Sequence, residues 1–336
     1  MGPILIWGAG AIGGSIGAWL KRAGHDVTFV DVVPEHVAAI AGDGLRITGP
    51  VEQFKVTAPA FLPQDLRGEW KYVFLAVKAH HTEAATRALT PHLAQHGYVL
   101  SAQNGLCETV IQRIVGRDRT MGAFVNFSAD WMGPGEVMFG SRGAVVLGEV
   151  TGQMTPRLAE LHRVMLDFEP NAITTAEIWG YLWGKLGYAS MLFAQALGML
   201  GIADCLARPE LLPLWRAMAR EVNEVTLAEG VTPKGFNGYE PSAFMPNADP
   251  ALAADAVAAM VEFNRPSAKT HSGVWRDLAV RKRRTEVDVQ IAPICQIGEQ
   301  HGLPCPTLRR LVAMIHQVED GKRTLDDRNL LELLAP

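Results

Sequence analysis

The stretch Pro3-Ile4-Leu5-Ile6-Trp7-Gly8-Ala9-Gly10-Ala11-Ile12-Gly13 decides the fold. Ile4–Trp7 is a short apolar run that breaks into Gly8, as a buried strand does when it ends in a turn. Ala11–Arg22 then has helical spacing. Between strand and helix stands G-x-G-x-x-G. Gly8 permits a tight turn, Gly10 lets backbone approach a pyrophosphate, and Gly13 lets the helix pack close on the strand. The helix start offers free N–H groups and partial positive charge to phosphate. Alone the motif is weak, and a glycine turn that merely packs is the plainer alternative. Its place after a strand, with Gly24-His25-Asp26 and a second strand Val27–Val30 following, selects the dinucleotide reading. The expected cofactor residues are Gly8, Ala9, Gly10, Ala11, Ile12 and Gly13.

Asp31 ends the second strand, where the fingerprint expects an acid. A carboxylate there accepts hydrogen bonds from both ribose hydroxyls and repels a 2′-phosphate, so the sequence favours NAD over NADP. A strand-end or N-cap aspartate is the structural alternative. Further on, Glu35–Ala41 reads as helix, Tyr72–Val77 as strand, a helix starts near Thr82, Tyr98–Ala102 is strand and Glu108–Val115 helix. Strands alternating with helices imply a parallel sheet covered on both faces. After about residue 150 strand signals nearly vanish. Thr155–Phe168, Ile178–Met199, Glu210–Glu229, Ala251–Phe263, Val287–His301 and Thr307–Glu319 have helical character, while Pro233–Pro250 reads as a surface loop. The expectation is an α/β Rossmann domain over 1–172 and an all-α domain over 173–336.

The 336 residues favour two domains, and 48% hydrophobic with 20% charged residues suffices for a sizeable core. A net charge of -4 gives no general pull toward nucleic acid or anionic membrane. Cys107, Cys205, Cys295 and Cys305 are scattered, which suits reduced thiols in a cytoplasmic protein better than disulfides or zinc. The N-terminus has no basic region before its apolar run, unlike a secretory signal. Leu186–Ala203 carries no charge, but its Gly187, Ser190, Gln195, Gly198 and Gly201 read as a buried central helix rather than a membrane span.

Lys185, in Trp183-Gly184-Lys185-Leu186, is the last charge before that apolar stretch. Burial disfavours an ammonium, so a lysine here is a candidate proton donor or carboxylate clamp. A lysine snorkelling from the helix is the alternative. Glu286, in Arg284-Thr285-Glu286-Val287-Asp288, alone reads as a helix start. Arg281–Arg284 is too short and too isolated from aromatics for a nucleic-acid patch. His80-His81 lack partners at metal-ligand spacing, so no metal is expected. Trp131 and Met132 read as packing residues.

Taken together, Gly8–Gly13, Val77-Lys78-Ala79, Gln103-Asn104-Gly105, Gly133-Pro134-Gly135, Trp183–Leu186, Ser272–Asp277, Arg284–Asp288 and His301–Thr307 resemble the ketopantoate reductase (2-dehydropantoate 2-reductase) family, in its order and over nearly the whole chain. The resemblance implies a Rossmann domain, a helical domain for substrate binding and dimerisation, and an active site in the cleft between them. It implies Lys185 as proton donor to the substrate carbonyl and Glu286 as its catalytic support. It places Lys78 near the cofactor, Asn104 at cofactor and substrate, and Ser272 at the substrate carboxylate; its neighbour His271 is a further candidate substrate residue. The chain departs from the pattern at two asparagine positions, now Ala189 and Phe193, and has no NADP-binding arginine in Val30-Asp31-Val32. Loss of two amides leaves a pantoate-like hydroxyl less well paired, while Ala189 adds room and Phe193 an aromatic wall. The expected activity is therefore NAD(P)-dependent interconversion of a 2-oxo (or 3-oxo) acid and its hydroxy acid, with altered substrate and as a homodimer. An opine-type imine dehydrogenase, or a dinucleotide-binding sensor with a dead site, are the competing readings.

Overall fold

The computed structural model describes residues 2–267 and 270–334. The chain divides into two compact units, Met1–Ile178 and Trp179–Pro336. The first holds strands β1 (Ile4–Trp7), β2 (Val27–Val30), β3 (Leu45–Thr48), β4 (Phe54–Val56), β5 (Ala60–Phe61), β6 (Trp70–Leu75), β7 (Leu93–Ser101), β8 (Thr120–Val125), β9 (Ser128–Gly133), β10 (Glu136–Ser141), β11 (Val145–Glu149) and β12 (Ile173–Thr174). Its helices are α1 (Ala11–Arg22), α2 (Pro34–Ala41), α3 (Thr82–Leu89), α4 (Glu108–Val115) and α5 (Pro156–Met165).

Eight strands form one sheet in the order β12-β11-β8-β7-β6-β1-β2-β5. From β5 to β8 every pairing is parallel, and β11 joins β8 antiparallel. The chain leaves β1 for β2 on one side and returns to β6 on the other. That reversal is the topological switch point where α/β sheets bind ligands, at the carboxyl ends of the strands. Those ends carry Gly8, Asp31, Lys78 and Asn104. The central strands read as continuous apolar runs because both faces are covered: all four residues of β1 and of β2 are buried.

A second sheet, β4-β3-β10-β9, was not legible in the sequence. Its strands pair across long separations, with Arg46 opposite Glu136 in the β3–β10 ladder. Strand propensity in such short segments depends on partners rather than local pattern. Trp19 of α1 joins the core to this sheet, its ring 4.7 Å from Phe54 and 4.6 Å from Phe139.

The second unit is helical: α6 (Ile178–Gln195), α7 (Ile202–Leu206), α8 (Leu212–Ala228), α9 (Pro250–Asn264), α10 (Gly273–Ala279), α11 (Val287–Gln290), α12 (Ala292–Gln300), α13 (Pro306–Glu319) and α14 (Arg328–Leu334). The segment read as one helix over Val287–His301 is two, because Pro293 lacks the N–H that would continue the ladder and sits in the first turn of α12. Among the described residues no helix is long and apolar enough to cross a membrane. The segment Pro233–Pro250, expected on the surface, buries Tyr239, Ala243 and Phe244.

Candidate functional site

In the first unit the glycine loop has the form that its sequence requires. Gly8 adopts φ +97, and a Cβ on it would meet Val77 N at 2.8 Å. A Cβ on Gly13 would fall 2.0 Å from the Gly8 carbonyl oxygen, so α1 starts against β1 only because that position is glycine. Gly10 differs: among the described residues nothing beyond its own chain neighbours lies within 4 Å of its Cβ position. Gly10 caps α1, whose first turn has no acid and no side-chain cap. Open space beside Gly10, first-turn N–H donors at Ala11 and Ile12, and a strand-end carboxylate together fit a dinucleotide.

Asp31 is more than a ribose acceptor. Its Oδ2 takes the Ala9 N–H at 2.8 Å and its Oδ1 the Val33 N–H at 3.0 Å. The carboxylate thus fixes the glycine loop and its own turn, and each oxygen keeps lone-pair capacity for a ligand hydroxyl. His36, unmarked in the sequence reading, is buried behind the same loop. Its Nε2 lies 2.8 Å from the Ala9 carbonyl oxygen, and its Nδ1 accepts the Gly135 N–H at 2.9 Å.

Lys78 follows β6 and is half-buried, and Asn104 follows β7 and is exposed. Gln103, also missed as a site residue, ties the two loops together. Its amide donates to the Val77 carbonyl and to the Thr82 hydroxyl, each at 2.9 Å. His80 and His81 are exposed, with ring centroids 4.0 Å apart.

In the second unit, α6 carries a stripe of glycines at Gly180, Gly184 and Gly187. Cβ atoms there would meet the Thr232 carbonyl oxygen at 2.6 Å, the Lys234 carbonyl oxygen at 2.1 Å and the Tyr239 hydroxyl at 2.0 Å. The loop after α8 therefore lies directly on the helix backbone, which is why its aromatic residues are buried. Tyr181, Lys185, Ala189 and Leu192 fall on the other side of α6 and are partly exposed. Ala189 stands one turn beyond Lys185 on that face. Phe193 is 1% exposed and packs in the core. Tyr188 shares a hydrogen-bonded pair with Asn264, and burial pushes its hydroxyl up to about 12.

Ser272 caps α10: its oxygen accepts the Trp275 N–H at 3.1 Å. The hydroxyl proton is still available to a carboxylate. His271 lies beside it, Nε2 3.2 Å from the Met199 carbonyl oxygen and its ring 4.0 Å from Trp275.

The Arg-Thr-Glu segment is anchored by its first two members. Thr285 donates its N–H (2.7 Å) and its hydroxyl (2.8 Å) to Glu319 of α13, and Arg284 pairs with Glu319 and Asp320. Glu286 stands at the start of α11 without making a side-chain cap. Its side chain is partly exposed. Glu319 gave no local signal, because its role exists only through this long-range pairing. Arg281 and Arg283 pair with Asp277, so acids of the same fold offset much of the basic run. Burial pushes the thiols of Cys205 and Cys305 up to about 12 and that of Cys295 to about 11, which disfavours the thiolate form.

The family model described as ketopantoate reductase PanE/ApbA matches residues 4–152, and its C-terminal counterpart matches 177–319. The 2-dehydropantoate 2-reductase of Archaeoglobus fulgidus is 28% identical over 320 residues, covering 95% of this chain and 98% of that one. The enzyme of the same name from Mesorhizobium japonicum is 25% identical, covering 94% and 97%. A PanE/ApbA family ketopantoate reductase from Ralstonia eutropha superposes with a TM-score of 0.79 at 27% identity, covering 95% and 99%. D-mandelate dehydrogenase in complex with NADH and anilino(oxo)acetate superposes with a TM-score of 0.83 at 19% identity, covering 95% and 99%, a likeness of fold.

Proposed function

The chain belongs to the ketopantoate reductase family, and on that premise we propose an NAD-dependent oxidoreductase that interconverts a 2-oxo (or 3-oxo) acid other than ketopantoate with its hydroxy acid. The observation that carries the cofactor choice is the Asp31 carboxylate at the rim of the glycine loop, held there by the Ala9 and Val33 N–H groups. An anion so fixed accepts ribose hydroxyls and repels a 2′-phosphate, and the next residues, Val32 and Val33, bring no cation. The substrate choice follows from Ala189, which puts a methyl group where a carboxamide would hold a polar substrate.

A nicotinamide cofactor supplies the hydride when bound. Gly10 gives its pyrophosphate room, and the first-turn N–H groups of α1 donate to it. Lys185 as ammonium donates a proton to the developing alkoxide in reduction, and as neutral amine removes it in oxidation. Glu286 offsets the ammonium charge and orients the hydroxyl. Asn104 and Lys78 serve the cofactor loops of the first unit, and Ser272, with His271 beside it, donates to the substrate carboxylate. The four unbridged thiols suit a reducing, cytoplasmic setting. We expect a homodimer, which light scattering on the purified protein tests.

The deciding experiment follows NADH and NADPH consumption against a panel of 2-oxo and 3-oxo acids that includes ketopantoate. Turnover of another acid with NADH preferred is the expected result. Ketopantoate reduced best with NADPH overturns both the Asp31 and the Ala189 arguments. Turnover only with an added amine moves the chemistry to imine reduction.

A further inference from the structure

We propose that His36 is a positioning residue of the dinucleotide site, fixing the Ala9–Gly10 peptide so that its N–H faces the pyrophosphate. The proposal rests on the dinucleotide reading of the glycine loop. His36 is 1% exposed and touches two backbone groups. Its Nδ1 accepts the Gly135 N–H at 2.9 Å, so the proton of the neutral ring sits on Nε2. Nε2–H then donates to the Ala9 carbonyl oxygen at 2.8 Å. A trans peptide is planar, and its C=O and N–H point in opposite directions. Drawing the Ala9 carbonyl toward His36 therefore turns the Gly10 N–H away from it.

The preceding peptide is fixed too, since the Ala9 N–H is held by Asp31 at 2.8 Å. Ala9 is thus clamped on both sides, by an acid from the end of β2 and a histidine from α2. The far anchor is equally defined. Gly135 sits in the turn between β9 and β10 at φ +72, where a Cβ would lie 2.8 Å from the Ala39 Cβ. Its carbonyl accepts the Arg46 N–H at 2.8 Å and so ties the turn to β3. His36 links the turn of the second sheet to the glycine loop by hydrogen bonds at both ring nitrogens, which gives the Gly133-Pro134-Gly135 turn a purpose that its own sequence does not reveal.

The test is calorimetric binding of NADH and of ADP-ribose to the full-length wild type, His36→Phe, His36→Asn and His36→Gln, with melting temperatures alongside. Phe keeps bulk and loses both hydrogen bonds, and Asn is too short to span both partners. Gln can accept from Gly135 and donate to Ala9. His36→Phe should weaken NADH and ADP-ribose equally, by roughly tenfold, with His36→Gln within about threefold of wild type. His36→Asn carries the comparison should the Phe variant not fold. Wild-type affinity in both Phe and Asn variants, whatever their melting temperatures, overturns the positioning role. So does a Gln variant as weak as Asn. Failure of the wild type to bind either ligand removes the dinucleotide reading itself.

Discussion

Gly10 in the first unit and Gly184 in the second serve opposite ends. In the loop after β1, Gly10 leaves room that no described residue beyond its chain neighbours fills within 4 Å of its Cβ position. In α6, Gly184 makes room for the protein itself, and the Lys234 carbonyl oxygen occupies it at 2.1 Å from the Cβ position. The first glycine keeps a site open to a ligand. The second lets a loop seal one side of a helix, which leaves Lys185 and Ala189 on the other. The same residue type thus marks binding at position 10 and packing at position 184, and only the surroundings tell the two apart.

The sharpest test of that contrast is the face that α6 leaves partly exposed. Lys185→Ala should lower kcat by at least about 100-fold, the usual worth of a positioned proton donor, while NADH affinity stays at the wild-type value. An active variant would reduce Lys185 to a snorkelling lysine and the exposed face to mere surface. Next come the glycines themselves. Gly184→Ala drives a methyl into backbone that has no flexible tip to move, and should destabilise by about 1–3 kcal/mol or more in urea unfolding. Gly10→Ala should cost less than about 1 kcal/mol of stability, since the site is an N-cap with space around it, yet weaken NADH clearly in the same titrations. Equal stability losses in the two variants would mean that Gly10 and Gly184 do not differ in this way.

The degree to which each region was legible follows the same physics. The glycine loop was readable because its signal is local: strand, turn and helix start lie within about a dozen residues, and each glycine answers a backbone requirement. Asp31 could be placed by its distance from the loop, although its bond to the Ala9 N–H could not. His36, Gln103 and Glu319 were not readable. Each acts by bridging backbone segments distant in sequence, as Glu319 does to Thr285 across 34 positions, and a single chain carries no trace of such a pairing. The second sheet was lost for the same reason. Long helices of the second unit were found by their 3.6-residue pattern. The Pro233–Pro250 loop was placed on the surface because polar and turn residues there surround aromatic residues that the structure buries, Tyr239 among them against the glycine face of α6.

Glu319 offers a smaller effect that sharpens the account of Glu286. Its side chain is 1% exposed and accepts both Thr285 donors. Glu319→Ala leaves the buried Thr285 N–H without its acceptor, at a cost of about 1–3 kcal/mol in stability. It also releases the segment that carries Glu286. A fall in kcat of roughly tenfold, equivalent to about 1.4 kcal/mol in the barrier, is expected. Glu319→Gln retains a carbonyl acceptor and should keep most of the activity. If the Ala variant is less stable but turns over at the wild-type rate, Glu286 does not depend on this anchor.

The smallest change should come from restoring an amide at position 189. Residues four apart on a helix stand one above the other, so Ala189→Asn adds a carboxamide one turn from Lys185 on the same partly exposed face. A single new neutral hydrogen bond is worth about 0.5–1.5 kcal/mol, or roughly three- to tenfold in kcat/KM. That gain should appear with ketopantoate, whose product carries a further hydroxyl for the amide to hold. The best acid found in the panel should lose ground by a similar factor, because the space left by the alanine methyl is filled. The sign matters more than the size. Opposite shifts for the two acids mean that position 189 selects substrate, whereas parallel losses mean that the alanine is there for packing and that selectivity must be sought elsewhere on the second unit.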